Sequence, residues 1–239
     1  MPDLLYKRIL LKLSGQSLAQ EGGYGLSADA CQTMAQNIKE LQFLEVQVAV
    51  VIGAGNIFRG QMASEAKMQR VPADHIGMIA TLINGIALKQ ALQNLDVRAK
   101  VLSAFACHEM VAEYSFEKAS KYFNRGEIVI FVGGTGHPYF TTDTAAALRA
   151  AEMNCDLLIK ATKVSGIYDK DPVQFRDAAH FAQLSYTDIL AKDLKVMDPA
   201  AVSLCRDNNI PICVVDVFEK GSLTRAVLGE KVGTIVTGK

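Results

Sequence analysis

The chain has 239 residues, with 25 Lys and Arg against 25 Asp and Glu, and half of its residues are hydrophobic. A chain of this length can bury a core that folds as one large domain without disulfide bonds. Zero net charge and the absence of Trp argue against a dedicated nucleic-acid-binding protein, because phosphate backbones are bound by clustered positive charge. Small molecules are therefore the expected partners.

Short β-branched runs predict six strands, at Arg8 to Leu13, Val46 to Ile52, Val97 to Leu102, Ile128 to Val132, Asp156 to Lys160 and Ile212 to Val217. Helical periodicity separates them, as in Ala30, Met34, Ile38 and Leu41 after the candidate N-cap Ser27. This alternation predicts an α/β fold in which helices cover both faces of a mostly parallel sheet. The site is then expected in the loops that follow the strands. We expect one domain, residues 1–239, whose two halves meet near residues 160–170.

The first predicted strand ends in Lys12-Leu13-Ser14-Gly15. A Lys at this point can reach an anion held by the amides of the turn, although a surface Lys before an ordinary turn has the same pattern. The second strand runs into the glycine-rich segment Gly53 to Gly60, where small residues let backbone amides approach phosphate and Arg59 can clamp it.

That segment also resembles a dinucleotide-binding fingerprint, with Asp74 about twenty residues further on. Two details count against a nicotinamide-dependent oxidoreductase: Phe58 occupies the third glycine position, and Asp74 precedes a long apolar helical segment rather than ending a strand. We expect Asp74 to cap a helix spanning Asp74 to Leu95, a role compatible with binding ribose hydroxyls.

The fourth strand leads into Gly133 to Asp143, whose glycines and threonine hydroxyls suit phosphate oxygens. Thr142 is the candidate N-cap of the next helix, and Asp143 complements its dipole. No G-x-x-x-x-G-K-[ST] motif occurs, so this is not a P-loop protein.

The loop after the fifth strand contains residues suited to a purine nucleotide. Tyr168 could stack on the base, Asp171 could bind the ribose or the amino group, and Lys160 could neutralise a transferring phosphate. A polar surface loop is the alternative. Further along, Asp198 is predicted as an N-cap with Pro199 in the first helical position.

The compartment follows from the cysteines and the apolar stretches. The five Cys form no C-x-x-C pair, which is typical of reduced, buried thiols. Residues Met1 to Tyr6 do not resemble a signal peptide, and the longest uncharged apolar stretch, Ile76 to Leu88, is shorter than the ~20 residues that span a bilayer. We expect a cytoplasmic protein without a membrane span.

Taken together, five segments in order resemble the amino acid kinase superfamily, and within it the family of bacterial uridylate (UMP) kinases. The segments are Lys7 to Gly15, Val50 to Gly60, Gly134 to Asp143, Lys160 to Val164 and Lys195 to Asp198. The resemblance implies a three-layer α/β/α sandwich, transfer of the γ-phosphoryl group of ATP to UMP in pyrimidine nucleotide synthesis, and a homohexamer. It also implies that Mg²⁺ arrives with ATP rather than in a protein metal site.

The resemblance assigns residues to each role. The catalytic set is Lys12, Lys160, Asp143 and Asp198. The ATP-binding set is Lys12, Leu13, Ser14, Gly15, Gly55, Arg59, Thr162, Tyr168 and Asp171. The UMP-binding set is Ala54, Arg59, Asp74, Thr135, Gly136, His137, Pro138, Tyr139, Phe140, Thr141 and Thr142.

This sequence departs from the family pattern at three positions. Ala54 stands where the family usually has Gly, which would strain the backbone only if φ were positive. Lys89 and Gln93 stand where Arg and His are expected, which weighs against regulation by GTP; UTP is the other candidate effector. A same-fold kinase for an amino acid or carbamate, and a nucleotide sensor without turnover, are the alternative functions.

Overall fold

The computed structural model describes residues 4–20, 23–194 and 196–238. The strands in these ranges are β1 (Arg8–Leu13), β2 (Gln47–Ile52), β3 (Ala99–Ser103), β4 (Ala112–Glu113), β5 (Ile128–Val132), β6 (Leu157–Thr162), β7 (Ile167–Tyr168), β8 (His180–Phe181), β9 (Gln183–Ser185), β10 (Ile212–Asp216) and β11 (Thr234–Thr237). The helices are α1 (Ala28–Phe43), α2 (Gly60–Glu65), α3 (Arg70–Gln93), α4 (Phe116–Phe123), α5 (Thr142–Glu152), α6 (Tyr186–Ala191), α7 (Pro199–Asp207) and α8 (Ser222–Val227).

Nine strands form one sheet in the order β4-β3-β5-β2-β1-β6-β10-β11-β9. Every neighbouring pair is parallel except β10 with β11, while β7 and β8 form a separate antiparallel ribbon. The six predicted strands are confirmed within two residues at each end. The runs that sequence reasoning missed form strands of two to four residues, too short to show a period.

Helices cover both faces of the sheet, as predicted. One core lies between the sheet and α1, α3 and α8, and it receives Ile9, Leu11 and Leu13 of β1. The other lies between the sheet and α4, α5, α6 and α7, and it receives Leu10 of the same strand. Successive side chains of a strand point to opposite faces, so a strand buried on both faces is apolar throughout. This confirms the three-layer α/β/α sandwich.

Two predicted helix starts are wrong. Helix α3 begins at Arg70, so Asp74 lies in its second turn and not at its N-cap, which is Gln69. The helix can include Pro72 because N–H groups in the first turn of a helix have no acceptor within the helix, so the N–H that proline lacks costs no hydrogen bond there. Thr142 is the first residue of α5, and its N-cap is Thr141, whose hydroxyl accepts from the amide of Asp143.

The predicted caps of α1 and α7 are confirmed. The Ser27 hydroxyl accepts from the amide of Ala30 at the start of α1. Asp198 accepts from the amide of Ala201, and Pro199 occupies the first position of α7.

Helix α3 is long and apolar enough to cross a membrane, and among the described residues it is the one helix with this property. Buried core helices of soluble proteins can be equally long and apolar. Leu88 and Leu92 of α3 are fully buried in the core that the helix shares with α1, which accounts for part of this apolar composition. Four of the five free Cys are buried, and burial raises the pKa of the Cys155, Cys205 and Cys213 thiols to about 12, as inert thiols require.

Candidate active site

Two lysines and one carboxylate meet at the carboxyl ends of the central strands. Lys12 of β1 and Lys160 of β6 are register partners in neighbouring parallel strands, so their side chains emerge side by side. Asp143, in the first turn of α5, lies between them, with one carboxylate oxygen 2.8 Å from Lys12 Nζ and the other 2.8 Å from Lys160 Nζ. All three side chains are only 12% to 15% exposed. We call these three residues the lysine cluster.

The charges of the lysine cluster are mutually dependent. Burial by itself would raise the pKa of the Asp143 carboxyl, but the two ammonium groups outweigh burial and lower it. Burial lowers the pKa of the Lys160 ammonium, with a further contribution from the charge of Lys12 and an opposing one from Asp143. Lys160 also donates to the carbonyl of Val196. With all three groups ionised, the cluster carries one net positive charge and has little exposure to water.

One oxygen of Asp143 is only partly satisfied. Oδ1 is buried, and among the described residues the Lys12 ammonium, 2.8 Å away, is its one close polar partner. Distance and charge make the pair with Lys12 favourable, and a lone pair of Oδ1 remains available to a ligand.

Asp198 fixes the start of α5 relative to α7. Its Oδ2 accepts from the hydroxyls of Thr141, at 2.5 Å, and Thr144, at 2.8 Å, while its Oδ1 caps α7. Because Asp143 lies between these two threonines in sequence, Asp198 holds the turn that presents it. Lys195, which precedes this segment, lies outside the described residues.

The turn after β1 and the glycine-rich loop after β2 are in close contact. Ser14 caps a 3-10 helix, Gly15–Leu18, by accepting from the amide of Gln16. A Cβ on Gly15 would lie 2.7 Å from the carbonyl oxygen of Gly53 and 2.9 Å from the nitrogen of Gly55, so only glycine fits. Leu13 is fully buried, which leaves only its backbone to face a ligand.

Ala54 does not strain this loop. Ala54 is not among the described non-glycine residues with positive φ. Its methyl group is therefore compatible with the backbone, which is the outcome expected for a negative φ at this position. Its side chain is buried and lines the cavity described next.

A cavity of about 630 Å³ lies on one side of the lysine cluster, between the glycine-rich loop, α3 and the loop after β5. We call it the acceptor cavity. Its lining contains Ala54, Asp74, Thr135, His137, Phe140, Thr141 and Thr142 of the predicted UMP set, together with Gly55 of the predicted ATP set. Gly136, Pro138 and Tyr139 belong to the same loop but do not line the cavity, and Arg59 lies between the lining residues Phe58 and Gly60.

Arg59 is oriented by two contacts. Its Nε donates to the carbonyl of Gly55 at 2.7 Å, and its guanidinium lies 4.9 Å from the ring centroid of Tyr24. Because Nε is used in this way, Nη1 and Nη2 form the part of the fork suited to a phosphate.

Asp74 links α3 to the loop after β5. Both its oxygens accept from Nε of Arg70, and Oδ2 also accepts from the amide of Tyr139 at 2.7 Å. Burial would raise the pKa of Asp74, but these hydrogen bonds and the charge of Arg70 lower it. Tyr139 has φ of +71°, a left-handed conformation that the hydrogen bond to Asp74 helps to hold.

Two further cavities lie on the other side of the lysine cluster. One, of about 570 Å³, is lined by Lys160, Thr162, Tyr168 and Asp171, and we call it the donor cavity. The other, of about 440 Å³, is lined by Asp143, Asp198 and Lys160. Both share Val196 and Leu194, so they are neighbouring spaces over one surface.

The predicted nucleotide residues of the donor cavity hold its loop in place. The Thr162 hydroxyl donates to the carbonyl of Val164 at 2.6 Å, and Tyr168 packs edge-on against His180 with ring centroids 5.1 Å apart. Asp171 accepts from the amide of Val173 and from the side chain of Gln174.

Sequence reasoning missed three residues beside these loops, Asn56, Thr81 and Asn84, and it also missed Arg70. Asn56, Thr81 and Asn84 are less than 3% exposed. Thr81 and Asn84 of α3 each bond to the backbone of a glycine-rich loop, and Asn56, within the loop after β2, bonds to Asn84. The available signal was the presence of polar residues inside apolar segments, since buried polar groups need partners.

The fold and the site define a class of protein. Two cavities flank a pair of buried lysines at the carboxyl ends of a parallel sheet, and glycine-rich loops expose amides beside them, which is an arrangement for two phosphorylated ligands and transfer between them.

Comparison with known proteins agrees with this class. A sequence model of the amino acid kinase family matches residues 7–216, and the chain belongs to this family. It is similar to the crystal structure of UMP kinase from Bacillus anthracis, with 37% identity, a TM-score of 0.95 and coverage of 98% of this chain and 97% of that one.

Two other solved structures support the same grouping. UMP kinase from Ureaplasma parvum has 37% identity and a TM-score of 0.91, over 97% of this chain and 98% of that one. Uridylate kinase from Archaeoglobus fulgidus has 27% identity and a TM-score of 0.76, over 96% and 99%. The resemblance predicted from the sequence is therefore confirmed.

Proposed function

We propose that the protein is an ATP-dependent UMP kinase, which transfers the γ-phosphoryl group of ATP to the phosphate of UMP and releases UDP and ADP. The observation that carries this proposal is the lysine cluster between the acceptor cavity and the donor cavity. The 37% identity to two solved UMP kinases over nearly the whole chain selects UMP among the acceptors that this fold could serve.

Lys12 and Lys160 have the charge and the position for electrostatic catalysis. Phosphoryl transfer passes through a loose transition state rich in negative charge, so an enzyme contributes mainly position and charge compensation. Two ammonium groups on adjacent strands can contact the group in flight from one side. Gly15, in the turn after Lys12, packs closely against Gly55, and their amides are the candidate donors to the same phosphates. Low exposure strengthens these interactions relative to water.

No general base is needed, because the phosphate of UMP is already an anionic nucleophile. Asp143 orients the two ammonium groups through its ion pairs, and Asp198 orients Asp143 through Thr141 and Thr144. Both act on the reaction through the position of the lysines.

The residues fit a magnesium ion that enters with ATP. Among the described residues no group of three or more His, Cys, Asp or Glu could hold a metal by itself, while Asp143 Oδ1 is a buried carboxylate oxygen with incomplete hydrogen bonding. Carboxylates are the ligands that Mg²⁺ prefers, and Mg²⁺ commonly binds through one or two of them plus substrate phosphates. When bound, the ion would neutralise charge on the phosphates. Asp143 is the carboxylate placed to contact it, because both oxygens of Asp198 already accept hydrogen bonds from Thr141, Thr144 and the amide of Ala201.

The two cavities would bind different nucleotides. ATP would bind through the turn Lys12 to Gly15, Gly55, and the donor cavity residues Thr162, Tyr168 and Asp171. UMP would bind in the acceptor cavity, with its phosphate near Arg59 and the loop from Thr135 to Thr142, and with its ribose near Asp74. For Asp74 to accept from a ribose hydroxyl, the ligand must share or replace the hydrogen bonds now made by Arg70 and Tyr139.

We further propose a cytoplasmic homo-oligomer, a homohexamer by family resemblance. Helix α3 exposes Ile76, Ile79, Ile83 and Ile86, which share one face by their spacing, and a second copy could cover this face. GTP and UTP are the candidate effectors, with Lys89 and Gln93 at the C-terminal end of the same helix.

A coupled assay of ADP release tests the function. With MgATP, we expect turnover with UMP and little with acetylglutamate, aspartate or carbamate. Turnover with one of these acceptors instead would favour a same-fold kinase of another specificity. Tight ATP binding without turnover on any acceptor would indicate a sensor.

A further inference from the structure

Helix α3 contacts both glycine-rich loops through buried polar side chains. The hydroxyl of Thr81 accepts from the amide of Gly133 at 2.7 Å and donates to the carbonyl of Met78 at 2.6 Å. Gly133 begins the loop after β5 and has φ of +80°. Thr81 is 2% exposed, so water is a poor substitute for either partner.

One turn further along α3, Asn84 reaches the other loop. Its Nδ2 donates to the carbonyl of Gly53 at 2.7 Å and to Oδ1 of Asn56 at 2.8 Å. In return, Nδ2 of Asn56 donates to Oδ1 of Asn84 at 3.0 Å and to the carbonyl of Gly25 at 2.7 Å. Both side chains are fully buried, and all four of their N–H donors are used.

This network admits one arrangement. Rotating the amide of Asn84 by half a turn would place its oxygen against the carbonyl oxygen of Gly53 and leave two acceptors facing each other. The distance from Asn56 to the turn after β1 is also fixed, since a Cβ on Gly15 would lie 2.3 Å from Oδ1 of Asn56. The network thus sets the position of the loop from Gly53 to Asn56 relative to Gly15, in the turn that follows β1.

The helix that carries these side chains is itself fixed against the sheet. A Cβ on Gly85 would lie 2.4 Å from Cγ1 of Val132, the last residue of β5. The absence of a side chain at Gly85 therefore lets α3 approach β5 closely beside Thr81 and Asn84. A helix held this close to the sheet is a rigid reference for the loops, and loops held by rigid elements are more precise.

We infer that Asn56, Thr81 and Asn84 are positioning residues, which set the glycine-rich loops after β2 and β5 at the separation that phosphoryl transfer requires. The inference rests on the proposed function, because it assumes that both loops hold phosphates. Asn56 and Asn84 are fully buried, and Thr81 borders the acceptor cavity but is only 2% exposed, with its hydroxyl committed to Gly133 and Met78. We therefore assign all three an action through the backbone of the two loops. Losing a contact should weaken binding of the phosphate part of a ligand more than binding of its nucleoside part.

The sharpest test compares Thr81→Val with Thr81→Ser. Valine matches the shape of threonine but neither accepts from Gly133 nor donates to Met78, whereas serine keeps the hydroxyl. For Thr81→Val we expect kcat with UMP and MgATP to fall by about 10- to 100-fold, the scale of a displacement of about 1 Å. The ratio of UMP affinity to uridine affinity, measured by calorimetry, should fall as well. Thr81→Ser should keep both values near those of the wild type.

Asn84→Leu tests the other loop, in which Gly55 is assigned to ATP and Ala54 and Arg59 are assigned to UMP. The ratio of ATP to adenosine affinity and the ratio of UMP to uridine affinity should both fall, together with kcat. Tyr186→Phe is the matched control, because it also removes a buried hydrogen bond. The Tyr186 hydroxyl donates to the carbonyl of Ile210 at 2.6 Å, in the helix layer on the opposite face of the sheet from α3. This variant should lower the melting temperature and leave both affinity ratios and kcat unchanged.

The inference is wrong if folded Thr81→Val retains wild-type kcat, or if its affinities for UMP and uridine fall by equal factors. It is also wrong if Tyr186→Phe reproduces the same changes. Should Asn84→Leu fail to fold, the Thr81 pair decides alone. Failure of the proposed function has a different signature: the wild type would not phosphorylate UMP, while the ratio of ATP to adenosine affinity in the variants would still test the positioning role.

Discussion

Replacing Asp143 with Asn should destabilise the ligand-free protein and make it more dependent on nucleotide. The substitution keeps the size of the side chain but removes the one carboxylate that forms ion pairs with both Lys12 and Lys160, leaving two largely buried like charges with only the weaker influence of Asp198 on Lys160. Breaking a buried ion pair by removing one partner costs about 3 kcal/mol or more. For a chain of about this size, each kcal/mol shifts the melting temperature by about 2 to 4 °C, so the expected loss is about 6 to 12 °C.

Thermal unfolding with and without MgATP measures this effect. The triphosphate replaces the missing negative charge, so the gap between Asp143→Asn and the wild type should narrow when nucleotide is present. The control is Asp177→Asn, which breaks an ion pair of similar length, 2.6 Å between Asp177 Oδ2 and Lys170 Nζ. In this pair the Asp177 side chain is 78% exposed. Exposed pairs contribute at most about 1 kcal/mol. Equal melting temperatures for Asp143→Asn and the wild type, or a gap that nucleotide leaves unchanged, would refute the charge argument.

Three other expectations can be measured directly. In steady-state assays, Lys12→Ala should lower kcat by on the order of 10² to 10³, whereas Arg59→Ala should chiefly raise the KM for UMP; equal losses of kcat would contradict these roles. The kcat/KM for UMP should exceed that for dUMP, because the carboxylate of Asp74 would lose a ribose partner, and equal values would remove Asp74 from ribose binding. The pKa of Asp143 is lowered in the folded state, so its stabilisation is complete above its ordinary pKa of 3.8 and is lost as pH falls through the folded value. The stability gap between wild type and Asp143→Asn should therefore be present at neutral pH and close as the buffer becomes more acidic than about pH 4. It should also narrow at alkaline pH, where Lys160, whose pKa is lowered, loses its charge.

The sheet was predictable because its strands are buried on both faces. Such strands appear as continuous apolar runs, and β1 and β5 have the predicted bounds to the residue. The position of the cavities followed from the same pattern, since ligands bind at the carboxyl ends of parallel strands. The short strand β4 and the ribbon of β7 and β8 carried no comparable signal.

Apart from the cap of α5, which lies one residue before the predicted Thr142, the errors concern side chains with partners distant in sequence. Asp74 was expected to cap a helix, but its carboxylate binds Arg70 and the amide of Tyr139, which is 65 positions away. The reciprocal pair of Asn56 and Asn84, 28 positions apart, was missed for the same reason. Local patterns report propensity, whereas these contacts depend on how closely α3 approaches the sheet.

The strand order explains why the two cavities meet at the lysine cluster. Strand β1 lies at the centre of the sheet, with β2 and β5 on one side and β6 and β10 on the other. The loops after β2 and β5 line the acceptor cavity, and the loop after β6 lines the donor cavity, so the two phosphates can approach each other only near the ends of β1 and β6. Those ends carry Lys12 and Lys160 in register. Two anions brought to this point would repel each other, and the paired ammonium groups offset that repulsion while Asp143 stabilises them before the nucleotides bind.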